Sequence, residues 1–287
     1  MTSEKAPLSA GAAPASPAGP AGPYWIWPLR LSAAQRDRIA QWSAAGAPWT
    51  AGFRWIGLAA AASILPLLLS YPFGWSGHRF VSALFLFPIF VALVRADRQR
   101  EGFALVLVSY ACHSVTAILL TWLDPAGAAP LLADGLDYWE KNERWIRTGV
   151  DPEYQVANWL PAHLQQLLGM AVYGFTSLGL IPLAQGIYEI DLMNFYVGRL
   201  LAVSENPFVT LFVGWHFWAI LRGVAYTRIV FEVSSLSLSR MTGIPLSTRP
   251  RRRRRWLVGL ACLGLDGLGK LIALEPVRLL LYANLIS

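Results

Sequence analysis

Glu189, Asp191, Asn194 and Arg199 fall within 187–203, IYEIDLMNFYVGRLLAV, a segment with the length of a short membrane span. An ionised side chain at the centre of a membrane helix costs about 2.5–3.5 kcal/mol on insertion scales, so this segment has to meet polar neighbours or water inside a bundle. Tyr188, Asp191, Asn194 and Gly198 recur at spacings of three, three and four and form one helical stripe, with Glu189 pointing elsewhere. Hydroxyl, carboxylate, amide and glycine on one stripe suit cation coordination, proton transfer or retention of a polar solute. The plainer expectation is that Glu189 and Asp191 sit near a helix end and reach water, while Arg199 snorkels at the other end.

Downstream, Gly214-Trp215-His216-Phe217-Trp218 is followed by Arg222 and Tyr226. His216 is a candidate metal ligand, proton acceptor or partner for Asp191, because neutral imidazole tolerates a membrane better than a fixed charge; Arg222 is a candidate counter-ion for a carboxylate or an anionic ligand. A histidine among aromatic residues is more often a hydrogen-bonded packing residue. Ser109, His113 and Thr116 make another polar stripe, and Gln166, Tyr173 and Ser177 a further one. Such groups also act as interhelical glue worth about 0.6 kcal/mol each, so no stripe is decisive alone. Together the polar-striped segments predict a shared internal cavity lined by Asp191, Asn194, His216 and Arg222.

The segment 124–163 combines Trp139, Trp145 and Trp159 with several acids and His163. Its tryptophans suit a clamp on a sugar or lipid head group, and Asp151, Glu153 and His163 a metal. The simpler expectation is an aromatic belt at head-group level, joined to an amphipathic helix. With no HExxH, paired-cysteine, GxSxG or phosphate-loop pattern, no zinc centre, serine nucleophile or nucleotide site has motif support, and no cofactor is identified.

The elements that must position these residues are membrane helices. Of 287 residues 55% are hydrophobic and 14% charged, against about 25% charged in soluble domains. The sequence predicts an all-α integral membrane protein of about seven transmembrane helices, near 53–71, 78–95, 102–123, 164–185, 187–203, 207–227 and 257–283, six being the alternative. The Ala/Pro/Gly/Ser-rich residues 1–23 read as a disordered cytoplasmic tail and 24–50 as an interfacial amphipathic segment. The remainder, 51–287, reads as the polytopic membrane domain with an outer aromatic-rich loop at 124–163. The last span is interrupted by Asp266, Lys270, Glu275, Pro276 and Arg278; Asp266 and Lys270, four apart, can neutralise each other.

The net charge of +7 gathers at span ends and in Arg251, Arg252, Arg253, Arg254 and Arg255, a pattern of orientation in a bilayer and binding to anionic lipids, with no nucleic-acid partner. Counting 187–203 as a span returns that tract to the cytoplasm and leaves 124–163 outside, in a bacterial inner membrane. Cys112 and Cys262 fall inside predicted spans as small buried side chains. The functional expectation is a membrane protein that binds or translocates a small polar or ionic solute through a polar intramembrane cavity. The alternatives are an intramembrane enzyme acting on a lipid-linked substrate, and a non-catalytic subunit whose polar helix is satisfied by a membrane partner.

Overall fold

Apolar runs of about twenty residues satisfy their own backbone in a bilayer only as helices, and the chain is helical almost throughout. The computed structural model describes residues 25–26, 29–52, 54–150 and 156–285. The tail 1–23 and the candidate ligands Asp151 and Glu153 lie outside the described residues. Trp25–Ile26 and Leu29–Arg30 pair as a minimal antiparallel ladder. The helices are α1 (Ala33–Ala44), α2 (Arg54–Ser70), α3 (His78–Arg95), α4 (Gln99–Leu123), α5 (Pro125–Leu131), α6 (Gly135–Thr148), α7 (Val156–Thr176), α8 (Leu180–Ala202), α9 (Pro207–Gly214), α10 (Phe217–Thr242) and α11 (Arg249–Tyr282).

Local chemistry sets most boundaries. Ser32 and Gln35 form a reciprocal capping box on α1, while Asp124 and Asn206 cap α5 and α9, each followed by a proline suited to a first helical position. Gly149 and Gly243, both at positive φ, end α6 and α10. The Asp124 carboxyl is held below the usual carboxylate range first by the Tyr71 hydroxyl, which donates to it at 2.6 Å, and then by the Gly127 N–H.

Five helical stretches, Arg54–Phe73, His78–Arg95, Gln99–Leu123, Pro207–Thr242 and Pro250–Tyr282, are long and apolar enough to cross a bilayer. The chain is an all-α membrane protein. The other two long helices differ from the sequence expectation. The predicted spans 164–185 and 187–203 are redrawn as α7 and α8, because Leu178 and Gly179, at φ 54° and 95°, break the chain earlier; the polar segment is then the C-terminal part of a 23-residue helix. The predicted span 207–227 runs on to Thr242 and is interrupted between Gly214 and Phe217.

Polar ties fasten both ends of the bundle, and arginines crowd one of them. At one end Arg255 donates to Asp97 at 2.7 Å and to Glu232 at 2.8 Å, Arg98 reaches Thr50, and Arg95 holds Ser43 of α1 at 2.7 Å. At the other, α5 and α6 close over α8, Arg278 donates to the Ile146 carbonyl, and the turn at Glu205 hydrogen-bonds Asn284. The segment 124–150 is therefore folded into helices against the bundle, not looped. Trp139 and Trp145, 3% and 1% exposed, lie in its core beside Tyr196 and His216, so the belt expectation does not hold for them.

Candidate functional site

Two apolar clusters build the core, one around Phe90, Leu105 and Phe231 and the other around Leu131, Trp145 and Tyr196. Along the long helices, polar residues occupy the level between them. On α4, Leu105 and Val106 belong to the first cluster and Ala117 and Ile118 to the second, with Ser109 and His113 between. Asp191 occupies that level on α8, Ser63 on α2, Arg222 on α10, and Asp266 and Lys270 on α11. The polar layer has two parts, on opposite sides of α8.

The first part is closed. Asp191 is buried and is bridged by two imidazoles from α3 and α4: His113 Nε2 lies 2.6 Å from Oδ1 and His78 Nε2 3.1 Å from Oδ2. The two rings stack at 5.5 Å with 16° between their planes, and the three ligand atoms lie within 4.8 Å of one another. Helix α8 packs along α4 so that Asp191 meets His113 and Gly198 meets Thr121; a Cβ on Gly198 would lie 2.5 Å from the Thr121 Cβ. Asn194, between them, is fully buried, and neither amide atom has a hydrogen-bond partner among the described residues. Ser82, one turn from His78 on α3, likewise has a buried hydroxyl without a partner, and Ser63 and Ser109 share a hydrogen bond.

The second part is an open cavity of about 860 Å³ between α6, α7, α8, α10 and α11. Its polar wall includes His163, Gln166, Glu189, Arg222 and Lys270, and its apolar wall includes Trp145, Trp215 and Trp218. Arg222 Nη1 hydrogen-bonds His163 Nε2, and Lys270 Nζ approaches the same nitrogen at 3.3 Å while lying over the Trp159 ring. Tyr226 donates to Gln166 at 3.1 Å, and Gln185 to Glu189 at 2.8 Å. The break between α9 and α10 opens on this space. His216 there stacks on Trp218 at 4.6 Å, and Trp215, His216 and Ala219 all line the cavity. Leu168, Val172, Tyr173 and Ile181 line it too and are exposed on the outer face of the chain, so it opens laterally between α7 and α8.

The structure thus divides the residues that the sequence grouped together. Asp191, Asn194 and His113 belong to the closed core, and Glu189, His216, Arg222 and His163 to the cavity. His216 and Arg222 are not the partners of Asp191; α8 separates them, and two histidines supply the pairing. Tyr188 leaves the stripe: its hydroxyl donates to Asp134 at 2.8 Å and its ring carries the Arg79 guanidinium at 4.9 Å. Asp191 does not reach water. Arg199 covers the Trp139 ring at 5.4 Å. His78 was missed because a histidine opening a span after Ser-Gly reads as an interfacial residue. In the sequence Lys270 reads as an interruption of an apolar helix and a partner for Asp266, not as a cavity residue. Of the five-arginine tract, Arg255 turns inward, leaving Arg251, Arg253 and Arg254 exposed. Comparison with protein-family models, with curated proteins and with solved structures finds no match.

Proposed function

We propose that this protein binds a small polar or ionic solute in the cavity between α7, α8 and α10 and moves it across or out of the membrane. The observation that carries the reading is the interrupted pass α9/α10, whose break faces an 860 Å³ cavity bearing Arg222 and Lys270. Irregular backbone at membrane depth persists where it borders protein or a water-filled space, and the N-terminus of a half-helix favours negative charge. The volume is in the range of small-molecule sites, about 300–1,000 Å³. Arg222, with its fixed planar fork, suits a carboxylate or phosphate on the solute.

In this reading the chain makes seven passes: α2, α3, α4, α7, α8, α9 with α10, and α11. The basic end, with Arg251, Arg253 and Arg254 toward anionic lipid, faces the cytoplasm of a bacterial cell, and α5 and α6 face outward. Asp191 meets two imidazoles of the same chain, so the polar helix by itself calls for no partner subunit.

The test uses Ala219→Cys and Ala162→Cys, two cavity positions, in a chain lacking Cys112 and Cys262. A membrane-impermeant thiol reagent is expected to label both in intact membranes, and native mass spectrometry to find a small molecule retained by the wild type and lost in Arg222→Ala. A cavity sealed to the reagent from both sides, with no retained molecule, overturns the reading. The lateral opening between α7 and α8 favours a second reading, an enzyme that admits the head group of a lipid-linked substrate. Retention of an amphiphile instead of a water-soluble solute would select it.

A further inference from the structure

We propose that His78, His113 and Asp191 bind a divalent transition-metal ion, zinc in the first instance, at a site distinct from the cavity. Three ligand atoms of the types that hold zinc converge from three helices, within 4.8 Å of one another and shielded from solvent. Tetrahedral zinc sits about 2.0–2.1 Å from such atoms, which separates them by about 3.4 Å. The present contacts of 2.6 and 3.1 Å are shorter than that, so the side chains must open by up to about 0.8 Å to admit the ion.

The donor set suits a dication. His78 Nδ1 faces the Trp75 carbonyl at 3.4 Å, the direction in which an Nδ1–H donates, and this turns the Nε2 lone pair toward Asp191. A backbone carbonyl behind a ligating imidazole is the usual outer support that fixes tautomer and ring orientation. An imidazole lone pair facing a carboxylate oxygen at 3.1 Å repels it unless a cation stands between them. Among the described residues no Lys or Arg makes a salt bridge to Asp191.

Two independent observations point to an occupant with its own hydrogen-bonding atoms. Asn194, one turn along the Asp191 face, and Ser82, one turn along the His78 face, are fully buried with side-chain polar atoms that find no partner among the described residues. A buried polar group left unmatched costs about 1–3 kcal/mol, so two beside one donor cluster call for an occupant that hydrogen-bonds them, such as a metal-bound water. Three protein ligands leave a fourth position on zinc for that water. Imidazole and carboxylate together favour zinc and its neighbours over magnesium or calcium, which prefer all-oxygen shells.

The test uses the tag-free full chain in detergent. Elemental analysis is expected to find about one zinc per wild-type chain. After chelation, CoCl2 should produce the visible absorption of tetrahedral cobalt, and ZnCl2 should raise the thermal midpoint by several degrees. His113→Gln retains a donor toward Asp191 and Asp191→Asn retains size; in either, metal affinity should fall at least about tenfold in protein that still elutes as one species. Cys112→Ser should bind as the wild type does, excluding the neighbouring thiol as a ligand. A folded wild type that carries no metal and gains no stability from ZnCl2 overturns the proposal and leaves a metal-free histidine–aspartate cluster. Metal content unchanged in both His113→Gln and Asp191→Asn overturns it equally.

Discussion

Asp191 and Asn194 sit one helical turn apart, are equally hidden from solvent, and have opposite energetic characters. Asp191 is contacted by two imidazoles, so Asp191→Ala strips a buried cluster of its only carboxylate and should destabilise the chain by about 3–5 kcal/mol, read as a fall in thermal midpoint and membrane level. Asn194 brings two polar atoms into the core without a partner for either. In zinc-free protein Asn194→Leu should therefore stabilise the chain by up to about 1–3 kcal/mol, read as a raised midpoint, because it removes unmatched polar atoms while keeping the branching of the side chain. A loss of stability comparable to that of Asp191→Ala would mean that the amide is satisfied in the folded protein and awaits no further partner.

The helices are held in register by a few buried polar ties, and their worth depends on burial. Glu232 is 1% exposed and pairs with Arg255, joining α10 to α11 and, through Asp97, to the turn between α3 and α4. Glu232→Ala removes one of the two carboxylates that Arg255 meets in a desolvated setting, and a loss of about 3–5 kcal/mol is expected in thermal unfolding. Arg98 and Glu101 also form an ion pair, but at 37% and 38% side-chain exposure water competes for both. Glu101→Ala should change stability by less than about 1 kcal/mol. Equal effects of the two substitutions would show that Glu232 is hydrated through the bundle and that α10 and α11 are less tightly joined than their contacts indicate.

For the whole molecule the governing feature is polarity: basic groups crowd one end, acids and the α5/α6 cap the other, and a polar layer lies between two apolar clusters. Under the proposed seven-pass orientation, Thr248→Cys should be modified only after the membrane is permeabilised, and Glu140→Cys from outside in intact cells. Each basic residue near an anionic leaflet contributes about 1 kcal/mol, so the exposed arginines favour that orientation. The opposite labelling pattern would invert the protein and put the mouth of the cavity on the other side of the membrane.

Composition alone determined that the chain belongs in a membrane, since a long apolar run has few ways to satisfy its backbone. The cost of burying Asp191 likewise marked α8 as a helix that needs polar company. Both are local properties, legible from neighbouring residues. Which residues provide that company was not legible. His78 and His113 lie 113 and 78 positions from Asp191, and whether they meet depends on how α3, α4 and α8 rotate about their axes. A rotation of half a turn would have turned Asp191 toward Arg222. The same holds for Trp139 and Trp145: an aromatic-rich segment has one composition whether it floats at a membrane surface or folds over α8. Only the packing of α6 against Tyr196 and His216 decided that it does the latter. The breaks at Leu178–Gly179 and before Phe217 also emerged only in three dimensions, because an apolar run carries no mark of where close packing forces the backbone to turn. Pattern in the chain selects the solvent and the helices; contact between helices selects the partners, because burial leaves each polar group bound to whichever complement the packing presents.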